Sequence, residues 1–485
     1  MNKTELKQKI ISGSFWSISS NVASQAVTFA VTIILARLLA PEDFGIVAIS
    51  AVFTGIITLF QDLGMGAAII QRQNIDDDYL STSFSVSLIA GAGIALLLAM
   101  AAPFVASFYD EPVLKGILYV SALGFILSPF TSIHTTILAK RLEFKKLSIV
   151  TLSGNALSGA ISVLLALSGA GVWSMVLGKI ISQPLITPFI WKIVRWRPRF
   201  RIVRKCFNDL FGFSSNLLAF NFLNYFARNL DNLIIGKYLG TQTLGFYSVA
   251  YNLMLKPLQL ISWSIGRVLY PVFSSIQDDM ARTRAVYLKV VRTISLITFP
   301  MMTGLFMVSE EFILSVYGAQ WAQAVLPLKL LCVVGALQSI GTTGGIIYNS
   351  QGRPDLTLKV GLFTSALVIM AFLVGIRWGL FGLIFAYIIV SVPVFIIGQY
   401  FANRLIGVGA FEFMKALAPS AACSAVMVLV LQGFRVLNAS SFHLQMESAL
   451  AVLIALGAAS YLLIAVKVLK VPEISEAFKL VKGRI

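Results

Sequence analysis

Long apolar runs follow one another along almost the whole chain, separated by short polar or basic segments. A run of about 20 mostly apolar residues is long enough to cross the hydrocarbon core of a membrane as one helix. Hydrophobic residues make up 58% of the sequence and charged residues only 12%, about half the charged share of a soluble domain. The sequence therefore predicts an all-α polytopic membrane protein.

About fourteen runs qualify as spans, with boundaries that are approximate by several residues. They are residues 14–36, 45–70, 81–107, 114–138, 147–168, 172–194, 211–236, 244–273, 288–308, 322–347, 356–376, 379–400, 413–433 and 446–466.

The Lys and Arg residues fall mostly on one side of this topology. With the N-terminus in the cytoplasm, 28 of the 38 Lys and Arg residues lie on the cytoplasmic side and five lie in the opposite loops. Membrane insertion imposes such an asymmetry, so the net charge of +17 indicates topology and does not indicate nucleic-acid binding. The same asymmetry predicts that both the N- and the C-terminus are cytoplasmic.

A shift of 200 residues aligns the first span with the seventh and pairs Asn21 with Asn221 and Gly45 with Gly245. This internal repeat predicts two pseudo-symmetric six-helix lobes, related by an axis along the membrane normal. The predicted domains are an N-terminal lobe (1–195), a basic cytoplasmic linker (196–209), a C-terminal lobe (210–403), and a segment with two extra helices and a basic cytoplasmic tail (404–485). The linker either lies beside anionic lipid headgroups or is an ordinary charged loop.

Polar residues form a stripe on one face of the first span and on one face of the seventh, because they recur every three or four residues. The stripes include Asn21 and Gln25 in the first span, and Asn221, Asn224, Arg228 and Asp231 in the seventh. Single polar groups of this kind often serve only to hold helices together. Two aligned stripes favour a wet cavity that both helices line.

The eighth span carries Lys256, Gln259 and Arg267 at intervals that place them on one helical face. A cation at the centre of a spanning helix costs about 2.5 to 3.5 kcal/mol on insertion scales, so a role in a cavity or in substrate binding is the default interpretation. Arg228 has the simpler alternative of a salt bridge with Asp231.

Two acidic residues stand out inside the predicted spans, Asp62 and Asp231. Asp62 either binds a coupling proton or sodium ion, or pairs with a cation such as Arg267. The three cysteines and two histidines show no spacing that suggests a metal site, and no catalytic motif is present. The sequence therefore predicts no metal, no cofactor and no enzymatic activity.

Three stretches of the chain, residues 36–45, 62–72 and 229–240, resemble Wzx-type polysaccharide flippases of the multidrug/oligosaccharidyl-lipid/polysaccharide exporter superfamily, particularly the colanic-acid and teichuronic-acid exporter group. The resemblance implies a bacterial inner-membrane protein that moves an undecaprenyl-pyrophosphate-linked oligosaccharide to the periplasmic leaflet by alternating access. The residues of the predicted site fit this function, with the cations for the pyrophosphate and with Asn, Gln and aromatic faces for the sugar hydroxyls. Membrane lipids and the polysaccharide polymerase and export machinery are the further partners implied.

The alternative is a proton- or sodium-coupled drug or small-molecule antiporter of the same superfamily. A pocket for an organic cation should be acidic and aromatic, whereas Arg228, Lys256 and Arg267 make the predicted site basic. This difference favours the flippase.

Overall fold

The computed structural model describes residues 3–61, 65–72, 75–211 and 215–468. Helices account for nearly all of these residues, and none of them lies in a strand. The predicted all-α fold class is thereby confirmed. The chain folds as two compact units, Met1–Gly245 and Phe246–Ile485.

The described part of the first unit contains nine helices and the first part of a tenth. They are α1 (Lys3–Leu38), α2 (Pro41–Gln61), α3 (Met65–Gln71), α4 (Asp77–Tyr109), α5 (Pro112–Leu127), α6 (Pro129–Lys140), α7 (Phe144–Leu167), α8 (Trp173–Val194), α9 (Arg204–Phe211) and α10 (Ser215–Pro257), which is kinked at Gly240.

Proline and capping residues explain where several of these helices begin and end. Asp76 precedes α4, and its side chain accepts hydrogen bonds from the backbone N–H groups of Asp78 and Tyr79, as an N-cap does. The α5 and α6 helices form one run that bends by 44°. Pro129 begins α6, and its missing N–H accounts for the break.

In the first unit, α7 packs between α1 and α8, and α4 packs along α5. The start of α4 is unusual because Ser81, Thr82, Ser83 and Ser85 are all buried there. Buried hydroxyl groups need hydrogen-bond partners, and two of these residues find them in the segment that precedes α9, as described below.

The described part of the second unit contains the remainder of α10 and seven further helices. They are α11 (Trp263–Ser275), α12 (Met280–Phe312), α13 (Val325–Ser350), α14 (Pro354–Gly375), α15 (Gly379–Ile406), α16 (Ala410–Leu437) and α17 (Met446–Leu463). Short π-helical turns lie at Leu258–Ser262, Ile313–Tyr317, Asn438–Phe442 and Ile464–Val468, and 3₁₀ turns at Ala319–Ala324 and Ile376–Trp378.

The α12 helix is the central element of the second unit, because it packs against α13, α16 and α17. The hydroxyls of Ser295 and Ser420 lie 2.8 Å apart between α12 and α16. From α17, the Tyr461 hydroxyl donates to the carbonyl of Leu296 at 2.9 Å. Near the end of α12, Arg435 donates to both carboxylate oxygens of Glu311. The two extra helices predicted after the repeat are therefore fastened to α12.

By length and composition, eight helical stretches of the described chain can cross a membrane, and a ninth arises if the bent pair α5 and α6 is one span. One of the eight, Pro354–Ile406, is 53 residues long and contains both α14 and α15. Within the described residues, each predicted span falls on one helix or on consecutive helical segments. The protein is a multi-pass membrane protein, and its division into lobes at 195 and 403 stays a prediction.

Candidate functional site

The polar stripe of α1 lies on a face that the packing of the first unit leaves largely open. The opposite contacts of α1 are with α7, where the Ser148 hydroxyl donates to the carbonyl of Trp16 at 3.1 Å and where Val31 fills the space beside Gly159. Asn21 is exposed and Gln25 is half-buried. The amide group of Asn21, one of those predicted to bind sugar, is therefore accessible on the surface of this unit.

The stripe of α10 is described only in part. Asn221 and Asn224 lie in the helix, but their side chains fall outside the described residues, as does the whole of Asp62. Arg228 is exposed. Asp231 is only 2% exposed, and its carboxylate accepts the backbone N–H of Asn232 at 2.8 Å.

The predicted basic face of the eighth span falls on a break in the helix. Lys256 is half-buried in the last turn of α10, directly before Pro257, and Gln259 is half-buried in the π-helical turn that follows. This turn contacts α12 and α13. The hydroxyl of Ser262, at the end of the turn, is buried without a hydrogen-bond partner among the described residues. A π-helical turn inside a helix is frequent at functional sites.

The two halves of the predicted site belong to different units. Asn21, Gln25, Arg228 and Asp231 lie in the first unit, and Lys256 and Gln259 lie in the second. Arg267 lies in α11, but its side chain is outside the described part of the chain. Within the ranges that the structure describes, no group of three or more His, Cys, Asp or Glu side chains could hold a metal ion.

A cluster that the sequence analysis did not identify lies at the end of α4, on the side predicted to be periplasmic. We call it the outer cluster, and it consists of Asp110, Glu111, Lys237 and Thr241. The Lys237 ammonium lies 3.1 Å from the carboxylate of Asp110, and the Thr241 hydroxyl donates to Glu111 at 2.9 Å. Next to it, the hydroxyl of Tyr109 donates to the carbonyl of Leu233 at 3.3 Å.

A second unpredicted cluster lies at the other end of the first unit, on the side predicted to be cytoplasmic. We call it the inner cluster, and it consists of Arg72, Tyr79, Lys140 and Asp209. Arg72 and the Tyr79 hydroxyl both bind the Asp209 carboxylate at 2.9 Å, and the guanidinium of Arg72 lies over the Tyr79 ring at 4.4 Å. Lys140 donates to the carbonyls of Ile69 and Arg72, at the end of α3.

The pKa of Asp209 lies below its usual value of 3.8. The hydrogen bond from Tyr79 is the main cause, and the hydrogen bond and charge of Arg72 lower the pKa further, against the opposing effect of burial. Asp209 is therefore ionised at neutral pH and holds α9 beside the start of α4.

The predicted linker is attached to α4 through its backbone. The N–H of Val203 donates to the buried hydroxyl of Thr82 at 3.1 Å, and the N–H of Arg201 donates to the buried hydroxyl of Ser85 at 3.0 Å. Its basic side chains at Arg199 and Arg201 remain exposed. The run of Ser and Thr at 81–87 is the sequence signal that could have predicted this attachment, because buried hydroxyls need partners.

Comparison with known proteins shows similarity along nearly the whole chain. Residues 34–326 match the model of a family described as polysaccharide biosynthesis protein. The teichuronic acid biosynthesis protein TuaB of Bacillus subtilis (strain 168) is 26% identical over 472 residues, which cover 95% of this chain and 96% of TuaB. The lipopolysaccharide biosynthesis protein WzxC of Escherichia coli (strain K12) is 28% identical over 392 residues, which cover 80% of this chain and 79% of WzxC.

Solved structures with the same fold include lipid II flippase MurJ in an inward closed conformation. The TM-score is 0.72 at 17% sequence identity, and the match covers 94% of this chain and 98% of MurJ. An inward-facing multidrug resistance transporter of the MATE family matches with a TM-score of 0.63 at 14% identity, over 80% of this chain and 96% of the transporter. At these identities, both similarities concern the fold alone.

Proposed function

The chain belongs to the polysaccharide biosynthesis protein family, and we propose that it is a flippase for lipid-linked oligosaccharides. In this proposal, an undecaprenyl-pyrophosphate-linked repeat unit moves from the cytoplasmic to the periplasmic leaflet of a bacterial inner membrane. The movement occurs by alternating access and serves polysaccharide export. The N- and C-termini are cytoplasmic, and membrane lipids and the polymerase and export machinery are the partners.

The relatives support this function through what their names state. TuaB and WzxC are biosynthesis proteins for teichuronic acid and lipopolysaccharide, and a further relative, 25% identical over 392 residues, is the succinoglycan biosynthesis transport protein ExoT of Rhizobium meliloti (strain 1021). The fold shared with a lipid II flippase adds support. Transport without catalysis is therefore the activity that we propose.

The geometric observation that carries most weight is the position of Lys256. It is half-buried in a segment predicted to span the membrane, at the point where Pro257 and a π-helical turn interrupt the helix. An ammonium group at such a depth costs about 2.5 to 3.5 kcal/mol on insertion scales, so intramembrane cations usually serve a substrate, an ion pathway or a wet cavity. A pyrophosphate is a suitable anion because it offers several acceptor oxygens to a cation.

We assign the roles accordingly. Arg228, Lys256 and Arg267 bind the pyrophosphate, and the sugar hydroxyls are bound by the amides of Asn21, Gln25, Asn221, Asn224 and Gln259. An inside-negative potential favours outward movement of the anionic headgroup by about 2.3 kcal/mol per charge per 100 mV. Coupling to a proton or a sodium ion would use Asp231 or Asp62, and the burial of Asp231 supports its candidacy.

The antiporter alternative rests on the fold shared with MATE transporters. The described residues of the candidate site do not favour it. Lys256 and Arg228 are cationic, and an organic cation would be repelled by them. We therefore retain the flippase as the proposal.

A reconstituted flipping assay with a lipid-linked oligosaccharide tests it. A hydrogen bond to a charged group contributes about 1.5 to 3 kcal/mol, so Lys256→Gln should slow flipping by roughly ten- to a hundredfold. Lys115→Gln, at an exposed position of α5, is the matched control and should flip like the parent. Equal rates for Lys256→Gln and the parent at equal abundance would remove Lys256 from the site. Absence of flipping by the parent would overturn the function itself.

A further inference from the structure

The turn between α4 and α5 contains a residue that is costly for the backbone. Asp110 follows the last residue of α4 with φ of 59° and ψ of 32°, in the left-handed region. Its N–H bonds to the carbonyl of Ser107, and the N–H of Glu111 bonds to that of Ala106. This is the helix ending in which glycine is the usual residue, because any side chain there is strained.

The next residue is also a poor local choice. Glu111 occupies the position before α5, where Ser, Thr, Asp or Asn would cap the first N–H groups. Its side chain makes no capping hydrogen bond. Instead its carboxylate accepts the Thr241 hydroxyl at 2.9 Å, and the Asp110 carboxylate accepts Lys237 at 3.1 Å. Both acidic side chains are thus used to hold α10, at the expense of local stability.

The part of α10 that they hold is its kink. Gly240 has φ of 84° and ψ of 169°, so the helix is interrupted between Lys237 and Thr241. Thr241 is only 6% exposed, and the Lys237 ammonium also lies over the Phe108 ring at 5.0 Å. The two acidic residues therefore bind α10 on both sides of its kink.

Directly beside these contacts of Asp110 and Glu111, the backbones of α10 and α2 approach each other closely. A Cβ atom at Gly45 would collide with the carbonyl of Thr241, and a Cβ atom at Gly245 would collide with the carbonyl of Pro41. The two contacts are related by the 200-residue repeat. Ile49 of α2 also packs on Gly236 of α10, and it is completely buried. At these contacts the backbones of the two helices lie directly against each other.

We propose that the Asp110–Glu111 turn is a latch that holds the kink of α10 against α2 in one state of the transport cycle and releases it in the other. This inference rests on the proposed function, because only alternating access requires the contact to open. The Asp110 side chain is 83% exposed, and exposed ion pairs are weak. The latch is therefore reversible.

The first test measures opening directly, without substrate. Ile49→Cys places a thiol under the contact, and the native cysteines Cys206, Cys332 and Cys423 are buried. In nanodiscs, Asp110→Gly should raise the rate at which this thiol reacts with a water-soluble maleimide by about two- to fivefold, the range for an exposed ion pair. Glu111→Ala, which removes the acceptor of the Thr241 hydroxyl, should raise it by a similar factor. Asp110→Gly also relieves the backbone, so it should not unfold the protein, and Asp110→Asn provides a second variant that tolerates the left-handed conformation.

The matched control is Glu310→Gln, which removes an exposed ion pair with Lys329 in the second unit, where the nitrogen and oxygen lie 3.6 Å apart. It should leave the labelling of Ile49→Cys unchanged. The latch is wrong if the Asp110 and Glu111 variants label like the parent, or if Glu310→Gln changes labelling as much as they do.

The second test cross-links the contact between the turn and α10 so that it cannot open, and then measures flipping. Asp110→Cys with Lys237→Cys, joined by a bifunctional maleimide, should abolish oligosaccharide flipping. The control is Glu311→Cys with Arg435→Cys, which joins α12 to α16 inside the second unit and should permit flipping. Flipping by the protein joined at positions 110 and 237 would overturn the latch. If labelling in the first test responds as expected while the parent moves no oligosaccharide, the latch stands and the proposed substrate falls.

Discussion

The inner and outer clusters of the first unit hold helices together by different means. The inner cluster and the adjacent linker use buried hydroxyls, backbone donors and a partly exposed carboxylate shared by Tyr79 and Arg72. The outer cluster uses an exposed ion pair and one hydroxyl donor. Buried hydrogen bonds are costly to break because their partners are left unsatisfied, whereas exposed ones exchange readily with water. The inner end is thus built to stay joined and the outer end to separate.

The largest expected effect concerns Lys140. Its ammonium donates to two carbonyls at the end of α3, so Lys140→Met removes two charge-assisted hydrogen bonds. We expect a loss of about 2 to 3 kcal/mol in the free energy of unfolding. Lys115→Met, at an exposed site, should change it by less than about 0.5 kcal/mol. Thermal unfolding in detergent measures both changes. Equal melting temperatures for the Lys140→Met and Lys115→Met variants would show that Lys140 does not stabilise the inner end of the first unit.

An intermediate effect is expected at Asp209, and it depends on pH. Because the folded-state pKa of Asp209 is below its usual value of 3.8, its stabilisation is present at neutral pH. It is lost as the pH falls from about 4 through the lower folded value. The parent should therefore melt at a higher temperature than Asp209→Asn at pH 7, and the two should converge below that range. A gap that persists in acid would show that the carboxylate charge is not what holds α9.

The smallest expected effect is a difference between the inner and outer clusters in how thiol labelling responds to salt. Ions screen exposed charges over about 10 Å at 0.1 M ionic strength and act much less on buried hydrogen bonds. Raising the salt from about 0.05 to about 0.5 M should increase the labelling of Ile49→Cys near the outer cluster by about twofold. Ile69→Cys makes the same exchange at an equally buried position in α3, beside the inner cluster, and should label at a constant slow rate. An equal response at both positions would contradict the comparison.

The positions of the helices could be predicted from the sequence, because each long apolar run forms a helix of matching length. The predicted span 14–36 lies within α1, and the runs at 356–376 and 379–400 fall on α14 and α15. The predicted span 244–273 is helical throughout, but Pro257 ends α10 and a π-helical turn follows. That break was readable, because proline removes a backbone donor inside a helix.

For the candidate site, the sequence could predict only which residues lie on the same face of a helix. Helical spacing places Lys256 and Gln259 on neighbouring turns, and both are half-buried. The outer cluster was not predictable in this way, because Asp110 and Lys237 are 127 residues apart. Loop residues acquire partners through the tertiary fold, which periodicity does not encode. The one local signal was an acidic pair before Pro112 at a position where a capping residue is usual.

The attachment of the last two helices has a consequence for the membrane around the protein. Hydrogen bonds from α12 to α16 and α17 lie at Ser295, Leu296 and Glu311, and an ion pair joins Arg284 of α12 to Glu412 of α16. These links lie at separate depths along α12. Sliding by one helical turn, about 5.4 Å, would break all of them at once. The α16 and α17 helices must therefore move together with α12 as one rigid body. The lipids along that flank would meet the same hydrocarbon-facing contour throughout the cycle, and deformation of the bilayer would be confined to other sides of the protein.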